Sequence, residues 1–178
     1  MINVDHSIRI RRGRQNEAVK LAKLHVDVWR ATYSALAPRE AVQLLDEAKR
    51  LPYWTDATTV TDAGRGVWVA DDAGSLLGVV SIGPSAHSVF EGRTELKHLY
   101  VVNNAQRRGL GEQLLRTAIN ECKAAGDAGM ALAVVRQNER ARSFYKKMGG
   151  VEVSDFTDAG PLWRSQNILV AWDFPLSS

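Results

Sequence analysis

The sequence predicts an α/β (α+β) fold: a single domain over residues 1–178, with one mixed β-sheet and helices on both of its faces. Three observations carry this. Strand-like and helix-like patterns alternate in the order β-α-α-β-β-β-α-β-α-β-β. The consecutive strands in the middle argue against a plain doubly wound sheet. No repeat, low-complexity tract or long linker divides the chain.

Residues 7–12 read as the first strand, with Ile8 and Ile10 on one side and Arg9 and Arg11 facing water on the other. Residues 15–33 read as a helix, because Ala18, Leu21, Ala22, His25, Val28, Trp29 and Thr32 recur at helical spacing. Pro38 suits a helix start, and Ala41, Leu44, Leu45 and Ala48 continue a second stripe. Residues 51–65 are polar, with Pro52 early and Gly64 and Gly66 late, and read as a loop. Val67–Ala70 and Leu76–Ile82 are strands joined by the turn Asp71-Asp72-Ala73-Gly74. Thr94–Val102 is a further strand. Gly109–Ala125 is an amphipathic helix ended by Gly126 and Gly129. Met130–Val135 is a short apolar strand, as expected for one buried on both faces. Asn138–Met148 is a helix with Asn138 as its N-cap and Gly149-Gly150 as its stop. Val151–Phe156 and Ile168–Trp172 close the sheet as antiparallel strands.

Composition narrows the function classes. The net charge of +3 balances 23 basic against 20 acidic residues, so no polyanionic partner is demanded, and the cluster Arg9, Arg11, Arg12, Arg14 reads as a solvated strand face rather than a nucleic-acid patch. No apolar run approaches the ~18 residues of a membrane span, and the N-terminus lacks the pattern of a signal peptide, which places the chain in the cytoplasm. The one cysteine, Cys122, excludes an internal disulfide framework and a cysteine-built zinc cluster; no metal site is expected.

The sharpest motif is Gln106-Arg107-Arg108-Gly109-Leu110-Gly111, between a strand and a strongly amphipathic helix. The first N–H groups of a helix have no internal partner, and the helix dipole favours an anion there. Glycine at 109 and 111 removes Cβ atoms that would hold a diphosphate off the backbone, and Arg107 and Arg108 add forked cationic donors. The physics points to a phosphate or pyrophosphate site, although a bare Gly-x-Gly also makes a tight turn. The lysine-containing NTPase loop is absent, and Leu114 stands where a dinucleotide loop needs its third glycine.

In this segment the chain resembles the GNAT superfamily of N-acetyltransferases, whose coenzyme A signature, Gln/Arg-x-x-Gly-x-Gly/Ala after a strand, is matched at 106–111. A second match is Asn138, Ala141, Phe144, Tyr145 and Gly149; the departure is Gly150, where an aromatic residue is usual and whose presence is expected to loosen the turn. The resemblance implies a mixed, mostly antiparallel sheet of six to seven strands, about four helices, and fourth and fifth strands that splay apart. It implies acetyl-CoA as acyl donor. The N–H groups of Arg107, Arg108, Gly109, Leu110, Gly111 and Glu112 would cradle the pyrophosphate, with Gln106 opening the loop. The backbone of Leu99, Tyr100 and Val101 would pair with the pantetheine arm as an added strand does. Tyr145 would protonate the departing thiolate, and Asn138 would both cap its helix and contact the cofactor. From spacing alone Tyr145 is as well read as a core tyrosine.

The attacking amine must lose a proton. Glu95, eleven residues before Gln106, is the candidate base, and His98 is the runner-up. An odd separation predicts that these two face opposite sides of the sheet, so that only one meets the acceptor. In the family the first two helices wall the acceptor site. Arg30 and Tyr33 are free to touch substrate there, whereas His25 and Trp29 lie on the apolar stripe and read as packing. The expected acceptor is a small-molecule amine, with a protein N-terminus or lysine, or a non-catalytic acyl-CoA-binding role, as alternatives. A homodimer through the closing strands fits the family.

Overall fold

The computed structural model describes residues 8–175. Seven strands form one sheet: β1 (Arg9–Arg12), β2 (Gly66–Asp72), β3 (Ser75–Gly83), β4 (Thr94–Val101), β5 (Gly129–Val135), β6 (Val151–Thr157) and β7 (Gln166–Asp173). Their order across the sheet is β1-β2-β3-β4-β5-β7-β6. Every neighbouring pair is antiparallel except β4–β5, which is parallel. Five α-helices flank the sheet: α1 (Ala18–Tyr33), α2 (Arg39–Leu44), α3 (Glu47–Ala57), α4 (Leu110–Ala124) and α5 (Glu139–Lys147). None of the described helices is long and apolar enough to cross a membrane. Ser7, at the start of the predicted first strand, and the N-terminal residues read for a signal peptide lie outside the described residues.

The two faces carry separate cores. On one, Leu114, Leu115 and Ala118 of α4 pack on Trp68, Val80, Leu96, Met130 and Val170, with Phe144 and Tyr145 of α5 at the margin. On the other, Leu21, Ala22 and Val28 of α1 and Trp54 of α3 cover Val67, Val69 and Val79. The β2–β3 hairpin turns through Ala73 and Gly74, both at positive φ, as a two-residue turn matched to strand twist requires.

The sequence reading needs correction at four places. Residues 51–57, read as loop, belong to α3. Asp46 caps this helix by accepting from the Lys49 N–H at 2.8 Å, and Pro52 is tolerated inside it. The single second helix predicted from Pro38 is instead two, broken at Leu45 and Asp46. Arg11 does not face water: it is 17% exposed and forms ion pairs with Glu17 and Asp71, while Arg12 lies over the Trp68 ring at 4.2 Å. Gly150 does not loosen its turn. A Cβ there would stand 2.6 Å from Val170 and 2.7 Å from Trp172, and the Gly150 N–H donates to the Tyr145 carbonyl, so the space an aromatic residue would fill is taken by Trp172.

Candidate active site

Parallel pairing of β4 with β5 covers only Thr94↔Met130 and Glu95↔Ala131. Beyond Glu95 the two strands part. The Val102 N–H donates to Leu77 of β3, so by strand alternation Tyr100 turns its backbone to β3, while Leu99 and Val101 turn theirs to the gap. The Gln106 side chain reaches back to the Val101 carbonyl at 3.0 Å, and Arg140 of α5 holds the Gln106 amide oxygen at 3.1 Å. The gap is thus edged on β4 by the backbone of Leu99 and the N–H of Val101, with the Val101 carbonyl taken by Gln106 at the start of the glycine loop.

In that loop Arg107 and Gly109 both take left-handed φ, 62° and 78°, and α4 starts at Leu110. Alternation of right- and left-handed residues turns successive N–H groups toward one point, a concavity suited to anions. Among the described residues, none of the N–H groups of residues 107–112 has a hydrogen-bond acceptor. Gly109 is needed for its φ. Gly111 is not crowded: a Cβ there would meet Phe144 at 3.7 Å and Val101 at 3.9 Å, ordinary contact distances. Arg107 and Arg108 are exposed, and Glu112 pairs with Arg116 one turn on.

Tyr145 stands on α5 with its ring edge-on to Trp172 and beside Phe144. Among the described residues its hydroxyl has no hydrogen-bond partner, and burial, reinforced by nearby Tyr33, pushes its pKa well above the ordinary tyrosine value. Asn138 uses its amide at both ends. Its oxygen accepts from the Ala141 N–H, and its nitrogen donates to the Tyr33 hydroxyl at 3.2 Å. That bond joins the end of α1 to the start of α5. Tyr33 is further held between Trp29 and Trp163. Arg30 is turned away from this region, donating to the Leu45 carbonyl and so tying α1 to the α2–α3 junction.

Glu95 and His98 share one face, contrary to simple alternation. Ser81 pairs with His98 but Ile82 pairs with Leu96, so Lys97 is an extra residue, a β-bulge that restores Glu95 to the α1/α3 side. The Lys97 ammonium lies 3.4 Å from the Glu95 carboxylate. Around them the Tyr53 hydroxyl donates to Ser81 at 2.8 Å, and burial, with the nearby Glu95 charge, pushes Tyr53 up to about 12.

His98 belongs to a chain of aromatic polar groups. The Trp54 indole N–H donates to His25 Nδ1 at 3.2 Å. An indole can only donate, so the neutral His25 ring carries its proton on Nε2, aimed at the Tyr100 oxygen 3.4 Å away. The Tyr100 proton is then left for His98 Nδ1, also at 3.4 Å. His98 therefore presents an N–H rather than a lone pair on its far side. Burial, with His25 beside it and the charges of Arg50 and Lys97, holds His98 well below the ordinary histidine value, and burial lowers His25 to about 3.

These shifts set a sign for stability. A histidine whose folded pKa is depressed binds its proton more readily when unfolded, so stability is full above the unfolded value and falls as pH drops below it. Each such histidine is expected to remove about 1.4 kcal/mol per pH unit below ~6.5. Paired carboxylates such as Glu17 and Asp71, whose pKa values are lowered by Arg11, act only below their own unfolded range, so the window from about pH 5 to 6.5 isolates the histidines. Thermal midpoints across that window should rise with pH in the parent chain and rise less in His25→Gln. A flat parent profile would contradict the buried neutral assignment.

Sequence reasoning missed Arg50 and Tyr53, which with Trp54 form one stripe of α3 at i, i+3 and i+4, with Tyr53 and Trp54 packed on His98 at 4.8 Å and 5.5 Å. The spacing was legible, but Pro52 and the polar residues after it masked the helix.

Comparison with known proteins agrees with this geometry. Residues 22–150 match the acetyltransferase (GNAT) family model. The chain is 30% identical over 145 residues to "Probable N-acetyltransferase Rv2775" of Mycobacterium tuberculosis, covering 79% of this chain and 78% of that protein. It is 30% identical over 134 residues to the "Uncharacterized N-acetyltransferase YuaI" of Bacillus subtilis, covering 74% and 73%. In fold it is similar to the PaiA N-acetyltransferase of Thermoplasma acidophilum, solved in complex with coenzyme A, with a TM-score of 0.77 at 21% identity over 94% of this chain and 99% of that one. The family model and these relatives make the chain an acyltransferase. The chain belongs to the GNAT acetyltransferase family.

Proposed function

We propose that this chain transfers an acetyl group from acetyl-CoA to a small-molecule primary amine by direct attack in a ternary complex. The observation that carries the reading is the continuity of the anion-binding loop at 107–112 with the open edge of β4, which matches a ligand having a diphosphate at one end and an amide-bearing arm at the other. When bound, acetyl-CoA supplies the activated thioester. The N–H groups of Arg107, Arg108, Gly109, Leu110, Gly111 and Glu112 hold the pyrophosphate. The gap-facing backbone of Leu99 and Val101 orients the arm, while Tyr100 acts through its side chain in the aromatic wall. Gln106 keeps the loop registered to the strand, and Asn138 does so indirectly, by capping α5 and fixing Tyr33.

Glu95 is the last β4 residue paired with β5, so its carboxylate lies where the gap opens. There it removes the ammonium proton, directly or through water, before the amine attacks. His98 is unsuited to that task, because its outward nitrogen carries a proton. Tyr145, protonated at neutral pH, donates to the sulfur as the carbon–sulfur bond breaks. Cys122 is fully buried, and burial pushes its thiol up to about 12, so the only cysteine is no acyl carrier, which favours direct attack over a covalent acyl-enzyme.

Initial rates at varied acetyl-CoA and amine concentrations test the order: intersecting lines are expected, and parallel lines would exclude a ternary complex. Glu95→Gln is expected to lower kcat/KM about 100-fold near neutrality, recovering toward alkaline pH as free amine accumulates. An unchanged pH profile would remove Glu95 from the mechanism.

A further inference from the structure

We infer that Arg50 is the anion-binding residue of the acceptor pocket and that the amine accepted there carries a carboxylate. The inference rests on the acetyltransferase reading above and narrows its substrate class.

Six arginines among the described residues are shielded in part from solvent: Arg11, Arg12, Arg50, Arg65, Arg93 and Arg142. Arg11 holds Glu17 and Asp71, Arg65 holds Asp127, Arg93 holds Asp173 and Arg142 holds Glu152. Arg12 donates to the backbone carbonyls of Val60, Asp62 and Arg65. Arg50 alone of the six has no acceptor, and its Nε is cut off from solvent without a partner. Buried polar groups are satisfied in native proteins as a rule, and an unsatisfied one in a functional cleft points to a missing partner.

The position of Arg50 says which partner. It lies on the stripe of α3 that continues through Tyr53 and Trp54, the residues packed against His98, so it leaves the helix on the face turned to β4. Its charge is felt at His25, His98 and Tyr100. The other titratable groups facing His98 are accounted for: Glu95 has Lys97, both histidines are neutral, and Arg30 is turned away onto the Leu45 carbonyl. The α1/α3 side of the sheet thus carries a carboxylate, Glu95, and a guanidinium, Arg50, that has no acceptor among the described residues. A molecule with an ammonium and a carboxylate complements both. The two terminal nitrogens of Arg50 keep contact with solvent and have no acceptor among the described residues, so they are the donors that a planar carboxylate reaches through two bonds.

The test is a set of matched acceptors, each an amino acid, its carboxamide and the amine lacking that group, assayed by thiol release from acetyl-CoA. CoA-induced thermal shift is recorded on every variant. The parent chain is expected to prefer the acid over the amide by about 10-fold or more in kcat/KM. Arg50→Gln should remove most of that roughly 10-fold preference, mainly through KM, and Arg50→Lys should restore part of it. Equal use of acid and amide by the parent chain, a parent preference for the amide, or an equal loss toward both in Arg50→Gln would overturn the inference. If the CoA shift is intact and no acid is accepted, this inference falls while the CoA-binding reading stands. Absence of the shift in the parent chain removes both.

Discussion

Replacing Tyr145 with phenylalanine is expected to lower kcat about 10²- to 10³-fold and to leave CoA affinity within about two-fold of the parent value. The residue makes this a sharp test. Its ring packs on Trp172 and Phe144, and phenylalanine keeps those contacts. Its hydroxyl holds up no part of the fold, having no partner among the described residues, so its removal leaves no orphaned donor or acceptor behind. What the variant loses is the proton donor proposed for the departing thiolate. An ordinary phenol, near 10, lies above an ordinary thiol, near 8.5, and burial raises this one further, so Tyr145 helps as charge builds on the sulfur rather than by giving up its proton in advance. The loss should therefore appear in kcat and not in binding. A parent-like rate with a true acceptor would show that Tyr145 is a packing residue and nothing more.

Gly111→Glu is expected to weaken CoA binding by about 10³-fold, because it sets a carboxylate at the point where the free N–H groups of the loop converge, and like charges brought together in such a site cost several kcal/mol. The variant should fold. A Cβ at this position finds ordinary contacts with Phe144 and Val101, and an acidic residue in the first turn of α4 is favoured by the helix dipole. Gly111→Ala separates size from charge: it fits the same space and is expected to retain most of the affinity. A folded Gly111→Glu protein that binds CoA as the parent does would remove the pyrophosphate assignment from this loop.

The parts of this molecule that follow local rules were legible in the sequence. The stripe from Leu110 to Cys122, the Asn138 cap and the hairpin at Ala73-Gly74 are each decided within a few residues, and each stands where its spacing puts it. The splay of β4 from β5 came from the family resemblance and not from any local signal. What was not legible depended on partners distant in the chain. Nothing in Glu95-Leu96-Lys97-His98 announces a bulge at Lys97. That bulge is a feature of the register with β3, and it alone brings Glu95 and His98 to one face. Arg11 looked like a solvated strand residue because its carboxylate partner Asp71 lies 60 positions on. Arg30 looked free because the carbonyl that holds it belongs to a helix break that the sequence reading had merged into one helix. Arg50 shows the same limit in the other direction, since its lack of a partner becomes visible only once every other shielded arginine has been matched to its own.

The central claim, that this chain moves an acetyl group from acetyl-CoA to an amine, is tested most directly by free-thiol release from acetyl-CoA across a panel of amines, amino acids, antibiotics and peptides, with CoA-induced thermal shift alongside. The expected result is a thermal shift together with amine-dependent thiol release from at least one small-molecule acceptor. A shift without release on any member would contradict the transferase claim while leaving the CoA site standing, and the absence of any shift would contradict the site itself.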